Sequence, residues 1–262
     1  MAARGKRRGI AAILLVIALA LPFRAALSQF FDLPPLPDPW QFGNVLIERQ
    51  TGQTRFPPAS FSHWSHRTRY TCRVCHFELG FAMKANTTEI TEAGNQAGLY
   101  CGACHDGETA FGHELGYCSY CHNYGFDGSR ERFDALAELP RAPYGNKIDW
   151  IEALEQGLID PQESILDEEF EPIEYTAPLE LPADWQLIPP AGFSHEAHLE
   201  WLDCADCHPD IFNVKKKTTE RFDMRYNLEG KFCGVCHMTV AFPMDNCKRC
   251  HPKMSTGVIP GE

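Results

Sequence analysis

Every cysteine of this chain belongs to one short motif, Cys-x-x-Cys-His, and the motif occurs six times. The six copies are Cys72/Cys75/His76, Cys101/Cys104/His105, Cys118/Cys121/His122, Cys204/Cys207/His208, Cys233/Cys236/His237 and Cys247/Cys250/His251. Two thiols at this spacing can form thioethers to the two vinyl groups of one porphyrin, and the adjacent histidine then binds the iron. We therefore predict six covalently attached haem c groups, with twelve attachment cysteines and six proximal iron ligands.

Other uses of paired cysteines fit this pattern less well. A zinc ribbon does not require a histidine after each pair, and a disulfide framework does not place every cysteine beside a histidine or two positions from a partner. A thioredoxin-like redox motif occurs once in a chain, not six times. Haem also explains how a unit as short as Phe61–His122 gains a core, because a chain of roughly 60 residues is marginal without a staple.

The six motifs form two groups of three, and the groups are copies of each other. Each group begins with Phe-Ser-His and a second histidine three positions later; the pairs are His63 with His66 and His195 with His198. The same sequence offset relates these pairs and the first two attachment sites, whereas the offset between the third sites is shorter by three. We predict triheme modules at residues 59–125 and 193–252. Histidines three apart share a face of a helical turn, from which they can reach two different irons.

Residues 1–28 have the pattern of a secretory signal peptide. A positively charged N-terminal stretch is followed by an apolar run from Ile10 to Phe23. We place the cleavage site after Ser28. An uncleaved anchor is the alternative, and lipid attachment is not expected because no cysteine lies near the cleavage site. Since haem c is attached after translocation, we expect an exported protein in the periplasm or at the cell surface of a bacterial-type envelope.

The other segments carry neither cysteine nor histidine. Residues 29–58 form a Pro-rich, extended leading segment, either an ordered arm or a flexible leader. Residues 126–192 form an acidic linker, in which Asn146 is predicted to cap a short helix with one apolar side; that side comprises Trp150, Ile151, Leu154 and Leu158. After Pro161 the linker is predicted to be non-regular, and residues 253–262 form a tail. The expected fold is mostly α-helical, with much irregular structure around the haems.

The charge of the chain limits its partners. The net charge is −11, and it becomes −16 without residues 1–28, which hold five Lys or Arg and no acid. Nucleic acid is therefore not an expected partner. We expect a redox protein with a basic docking surface, whose association is salt-sensitive. The stretch from Asp149 to Asp184 has twelve acids and no Lys or Arg, and it is either that docking surface or a solvated linker.

The number of histidines is one short of a complete ligand set. Six of the eleven follow the cysteine pairs, which leaves five for the other faces of six irons; these are His63, His66, His113, His195 and His198. The third iron of the second module must then take a methionine, stay open or borrow a ligand. Met224 and Met244 are the candidates, and each has the alternative role of an apolar filler. A methionine ligand raises the reduction potential relative to histidine.

Phe-x-His-x-x-His leading into Cys-x-x-Cys-His, with three haem motifs between Phe61 and His122, resembles the triheme cytochrome c7 proteins of the class III cytochrome c superfamily. The resemblance covers residues 61–122 and 193–251. It implies that the first histidine of each pair binds the first haem of its module and the second histidine binds the second haem. The resemblance thus assigns one further axial histidine to each of four haems: His63 to the Cys72/Cys75 haem, His66 to the Cys101/Cys104 haem, His195 to the Cys204/Cys207 haem and His198 to the Cys233/Cys236 haem.

For the third haem, the resemblance implies a His or Met before the second attachment site, which favours Met224 over Met244. The first module departs from that pattern, because Glu92 lies opposite Met224. His113 is assigned to the Cys118/Cys121 haem by elimination.

These features predict an exported hexahaem electron carrier, with two tandem c7-like modules and no catalytic residue. Two other functions remain open. One is a multihaem reductase that uses an open sixth position on the Cys247/Cys250 haem. The other is a docked haem subunit of a larger membrane or extracellular electron-transfer complex.

Overall fold

The computed structural model describes residues 33, 35–50, 55–114, 116–123, 125–126, 128–183, 188–215, 219–220 and 222–255. The predicted signal peptide and residues 256–262 of the predicted tail lie outside these ranges. Within them, short helices and four short strands are joined by irregular segments, which confirms the predicted fold class. No helix in these ranges is both long enough and apolar enough to cross a membrane.

The elements follow one another in the same order in both halves of the chain. The first half contains β1 (Asn44–Ile47), β2 (Ala59–Ser62), α1 (His63–Arg67), a π-helical turn (Val74–Glu78), α2 (Glu92–Gln96), a 3-10 turn (Tyr100–Ala103) and α3 (Cys118–Cys121). The linker contains α4 (Ser129–Asp134) and α5 (Trp150–Glu155). The second half contains β3 (Pro178–Leu181), β4 (Ala191–Ser194), α6 (His195–Leu199), α7 (Cys204–Cys207), α8 (Met224–Leu228), α9 (Gly234–His237) and α10 (Cys247–Cys250).

Each module opens with an antiparallel hairpin whose second strand runs directly into a histidine-bearing helix. In the first hairpin Asn44 lies opposite Ser62, and in the second Pro178 lies opposite Ser194. Helices α1 and α6 begin at the next residue in each case, so the prediction that both histidines of a pair share one helical turn is confirmed. The first strands, β1 and β3, precede the sequence repeat, so the structural repeat is longer than the sequence repeat. The leading segment is therefore an ordered arm over residues 35–50.

The hydrophobic core found in the described residues is built mainly by the linker. Its buried members are Trp64 from the first module, Phe133, Ile148, Trp150, Ala153 and Ile159 from the linker, and Trp201 from the second module. Ala153 is fully buried and Ile148 is 2% exposed. The linker therefore packs between the two modules, whereas residues 166–169 and 171–178 are exposed.

Two details of the predicted linker helix are wrong. The side chain that caps α5 is Asp149, which accepts a hydrogen bond from the Glu152 backbone N–H at 3.2 Å. Asn146 lies too far before the helix to cap it; its Oδ1 accepts instead from the Trp150 indole N–H at 3.2 Å. Leu158 is 51% exposed, because the helix ends at Glu155 and the following turn points other side chains inward.

A single arginine joins the two modules and the linker. The Arg73 backbone N–H donates to the Trp201 carbonyl at 3.0 Å, and its Nε donates to Asp203 at 3.2 Å. One terminal nitrogen of the same guanidinium donates to Glu78 at 2.5 Å and to the Glu163 carbonyl at 3.0 Å. The side chains of Arg73 and Glu78 are only 11% and 4% exposed. The network therefore contains buried ion pairs, and the partners of Arg73 come from three segments of the chain.

The Glu78 carboxylate is expected to make stability depend on pH on the acid side. Burial alone raises the pKa of Glu78, but hydrogen bonds from the Ile165 N–H, the Ser164 hydroxyl and Arg73 outweigh burial and hold the pKa below its ordinary value. The folded pKa is thus lower than the unfolded one, of about 4.3. The resulting stability is fully present above that pH and is lost as pH falls through the folded pKa.

We expect the urea midpoint of the holoprotein to fall on acidification below about pH 4.5, and to fall less steeply in a Glu78→Gln variant. Circular dichroism across a pH series measures both slopes. Equal slopes in the two proteins would contradict this account of Glu78.

Candidate haem-binding site

The attachment motifs lie on single helical turns. In the five motifs after the first, the backbone N–H of the histidine donates to the carbonyl of the first cysteine at 2.8 or 2.9 Å. The first motif differs, because a π-helical turn covers Val74–Glu78. Residues i, i+3 and i+4 of a helical turn share one face, so each of the other five motifs presents two thiols and one imidazole together. None of the twelve cysteines forms a disulfide.

One continuous cavity of about 3300 Å³ runs through the protein. All motif cysteines except Cys204 line it, as do all histidines except His195 and His208. An ordinary small-molecule site has a volume of roughly 300–1,000 Å³. The cavity is thus large enough for several porphyrins, and its lining contains the thiols and imidazoles that haem c attachment requires.

The motif histidines are all held in the same tautomer. In each, ring Nδ1 lies 2.7–3.0 Å from a backbone carbonyl oxygen; the acceptors are Phe81, Phe111, Pro57, Phe212, Phe242 and Pro189, in chain order of the histidines. A carbonyl can only accept, so Nδ1 carries the proton and Nε2 keeps the lone pair that a metal binds. Sequence reasoning missed these carbonyls. Pro57 and Pro189 are nevertheless related by the same sequence offset as the histidine pairs, and this correspondence was the signal present in the sequence.

Three further histidines face motif histidines across a gap of constant size. The ring centres of His63 and His76 are 6.4 Å apart and the rings are nearly parallel, at 8°. The pairs His66 with His105 and His198 with His237 are each 6.2 Å apart. Two metal–imidazole bonds of about 2 Å, with about 1 Å more from each nitrogen to its ring centre, span about 6 Å. Each gap therefore fits one iron between two imidazoles.

The facing histidines are also anchored through Nδ1. His63 donates to the Gly43 carbonyl at 2.8 Å, and His198 donates to the Ser194 carbonyl at 2.7 Å. His66 donates to the Ser62 carbonyl at 3.0 Å. The hairpin before each helix therefore orients the rings that the helix carries. Gly43 comes just before β1, so the ordered arm is part of the site.

The other predicted ligands are not brought together in this way. Among the described residues, no ring contact joins His113 to His122 or His195 to His208. His113 is exposed, whereas the ring of His195 packs edge-on against Tyr175, with centres 4.8 Å apart. Met224 begins α8, and Met224 and Met244 both line the cavity.

Burial sets the protonation state of the site. It lowers the pKa of His63 to about 4, and it also lowers the pKa of His66, His76, His198 and His237. These imidazoles are neutral at neutral pH, which is the form that binds metals. Burial raises the pKa of the Cys75, Cys233 and Cys236 thiols to about 12, so these thiols are protonated. The described residues contain no group of three His, Cys, Asp or Glu side chains placed to hold a bare metal ion.

At the second attachment site of each module, the position directly after the first cysteine has no room for a side chain. A Cβ on Gly102 would lie 1.8 Å from the Asn95 carbonyl oxygen, and one on Gly234 would lie 1.9 Å from that of Asn227. The residue before each of these sites also has a positive φ of 51°. Sequence reasoning missed this requirement. Its signal was present, because Cys-Gly-x-Cys-His occurs only at these two sites.

Residues 59–123 and 191–252 match the family described as cytochrome c7 and related cytochrome c. Both modules therefore belong to the cytochrome c7 family, and the chain is a multihaem cytochrome c with two tandem c7-type modules. Proteins of this kind carry covalently bound haem c and act in electron transport. A comparison with curated proteins gave no match.

Three solved structures are similar in sequence over most of their length. The C-terminal hexaheme fragment of GSU1996 is 27% identical, and the match covers 83% of this chain and 98% of that one, with a TM-score of 0.26. The dodecaheme cytochrome c GSU1996 is 23% identical over 81% of this chain and 75% of its own, with a TM-score of 0.27. The N-terminal hexaheme fragment of GSU1996 is 23% identical over 81% and 99%, with a TM-score of 0.26.

Proposed function

We propose that the protein is an exported hexahaem electron carrier, which relays single electrons between redox partners in the cell envelope. The observation that carries this proposal is the set of three imidazole pairs with ring centres 6.2–6.4 Å apart. An iron held from both sides has no open position for a substrate. When bound, haem iron supplies reversible one-electron transfer.

In this proposal the chain's own residues hold six haem c groups. The twelve motif cysteines attach them, and the six motif histidines are the proximal ligands. His63, His66 and His198 complete the three observed pairs. For the remaining sites we propose His195 at Cys204/Cys207, His113 at Cys118/Cys121 and Met224 at Cys247/Cys250, on the count of histidines and the family pattern.

The junction between the modules supports a relay that crosses from one module to the other. Cys72 of the first module lies near enough to Cys207 and Cys236 of the second to contribute, after burial, to the raised pKa of both thiols. Attachment points of both modules therefore meet there. On both sides of this junction, hydrogen bonds to backbone carbonyls hold the imidazole rings in fixed orientations.

The charge of the chain and its sequence motifs support a basic redox partner and a location in the cell envelope. A redox protein with a basic docking surface complements a chain with net charge −11. The exposed acidic residues after Pro161, among them Asp167, Glu168 and Glu169, are the proposed contact. A docked subunit of a larger complex is distinguished from a free carrier by co-purification from native membranes.

Carbon monoxide titration of the fully reduced holoprotein tests the carrier proposal against the reductase. With all six irons six-coordinate, we expect no prompt binding by absorbance. A His66→Ala variant provides the positive control, because it removes one of two imidazoles from one iron and is expected to bind one carbon monoxide per chain. A Met224→Leu variant is expected to behave likewise, and Met244→Leu to resemble the wild type. Prompt binding at one iron in the wild type would contradict the carrier proposal and favour a reductase.

A further inference from the structure

The attachment site at Cys204/Cys207 differs from the other five in its position relative to the large cavity. Cys204 is exposed, and neither Cys204 nor His208 lines that cavity. Cys207 does line it, and helix α7, which carries both cysteines, packs against the π-helical turn of the first module. One attachment point of this site therefore faces the module junction, whereas the other faces the surface.

The second axial ligand proposed for this site is held by the linker. The Nδ1 of His195 lies 3.3 Å from the Ala177 carbonyl oxygen. Ala177 directly precedes β3, just as Gly43, which holds His63, directly precedes β1. The His195 ring also packs edge-on against Phe193 and against Tyr175 of the linker, with ring centres 4.9 and 4.8 Å away. The linker thus orients an imidazole of the second module.

The segment that holds His195 is part of an exposed strap, which we define as residues 166–178. The strap contains no Lys or Arg and five acidic residues: Asp167, Glu168, Glu169, Glu171 and Glu174. It also exposes three large apolar side chains, Leu166 by 72%, Ile173 by 59% and Tyr175 by 50%, and none of them lines the large cavity. Exposed apolar side chains among charged ones are typical of surfaces that bind another protein.

The strap is packed against this same haem site. Its Phe170 ring lies under the Arg73 guanidinium, with the central carbon 3.9 Å from the ring centre. The strap and the second module also share the walls of a small cavity of about 20 Å³, to which the strap contributes Phe170, Pro172 and Ile173 and the second module contributes residues 199–204. The strap therefore lies beside Cys204 as well as beside His195, and a protein bound to the strap is close to this haem.

We propose that the Cys204/Cys207 haem is the one that exchanges electrons with the partner, and that the partner, a redox protein with a basic surface, docks on the strap. This inference rests on the proposed function, because it requires bound haem with His195 as a ligand. The rate of electron transfer falls steeply with distance, so a docked partner reacts with the haem at the surface before those of the shared cavity. The strap supplies negative charge and apolar contacts, which a lysine-rich surface complements. Each transfer oxidises the metal of one protein by one electron and reduces that of the other, and no bond is made or broken.

The test uses the oxidised holoprotein and a probe that docks without reacting, a basic cytochrome c whose iron is replaced by zinc. NMR of the haem methyl groups at low ionic strength shows which haem senses the probe. We expect the signals of one haem to shift, and the shift to disappear at high salt because opposite charges make the contact. A His195→Met variant identifies that haem, because its methyl signals change most when its ligand is replaced.

The role of Tyr175 is tested by two substitutions. Tyr175→Leu removes the ring beside His195 and is expected to move the methyl signals of the same haem, whereas Tyr175→Phe keeps the ring and is expected to resemble the wild type. If His195→Met binds fewer than six haems by mass spectrometry, Tyr175→Leu makes the identification instead.

Charge reversal tests the docking surface. Replacing both Glu168 and Glu169 with lysine is expected to weaken binding of the probe about tenfold. The matched control replaces Glu48 and Glu108 with lysine, which makes the same change of net charge at exposed positions in the first half of the chain. It is expected to weaken binding by less than about threefold, because distant exposed charges are screened.

Three results would overturn the inference: no shifted methyl signals in the wild type at low ionic strength, a shift of a haem that the identifying variant leaves unchanged, or equal weakening by the two charge reversals. A wild-type chain that binds fewer than six haems, or that binds carbon monoxide promptly, would instead mean that the proposed function has failed. Both are measured before the probe is added.

Discussion

Replacing Gly234 with alanine is expected to destabilise the second module by about 3 kcal/mol or more and to reduce haem attachment at Cys233/Cys236. The added Cβ would lie 1.9 Å from the backbone oxygen of Asn227 and 2.9 Å from the carbonyl carbon of the same residue. Because these contacts are with backbone, no side-chain rotation relieves them. Helix α8 or the attachment turn must move, and the thiols then lose their register with the porphyrin.

Urea unfolding and haem counts by mass spectrometry measure this effect. Gly102→Ala is expected to have the same effect in the first module, since the corresponding contact is 1.8 Å. Gly128→Ala is the matched control, because a Cβ there meets no atom within 4 Å and its φ is −72°. The control is expected to change stability by no more than about 1 kcal/mol. If Gly234→Ala behaved like this control, the close approach would have no structural role.

Replacing Arg73 with methionine is expected to cost about 3–5 kcal/mol of unfolding free energy. The substitution keeps much of the apolar stem but leaves Glu78, which is 4% exposed, as a buried carboxylate without its cation. It also removes the bond to Asp203 that crosses the module junction. The loss is therefore expected to appear as earlier separation of the modules as well as a lower midpoint.

Two matched variants make the Arg73 result interpretable. Arg130→Met breaks an exposed pair, with side chains 64% and 68% exposed, and is expected to cost less than about 1 kcal/mol. Adding Glu78→Gln to Arg73→Met is expected to recover part of the loss, because the orphaned charge is then gone. Equal losses in the Arg73 and Arg130 variants, measured by urea unfolding of the holoproteins, would show that the buried network contributes no more than a surface pair.

Much of the local structure could be predicted because its cause is local. The spacing of Cys118, Cys121 and His122 is compatible with one helical turn that has the three groups on one face, and a short helix forms at this motif. The same holds for His63 and His66, which α1 carries on one turn as expected. The repeat was also visible, since copying preserves spacing. The assignment of individual ligands to individual irons remains a prediction.

The linker shows where local reasoning stops. Its composition predicted a helix and an acidic exposed stretch, and both are present. However, Asp149 and not Asn146 caps the helix, because the position of the cap depends on where the packed face of Trp150 must lie. That this segment would provide most of the core between the modules could not be predicted, since each module was expected to pack mainly around its own haems.

The sequence by itself determined the attachment chemistry, the number of motifs, the two-module repeat and the shortage of one histidine. Only the tertiary structure decided which carbonyls hold the rings, that Gly102 and Gly234 are required, and that Arg73 pairs with buried carboxylates. The physical reason is distance along the chain. His122 is oriented by Pro57, 65 residues away, and Arg73 is paired with Asp203, 130 residues away. Such partners are chosen by packing of the whole chain, which no local spacing records.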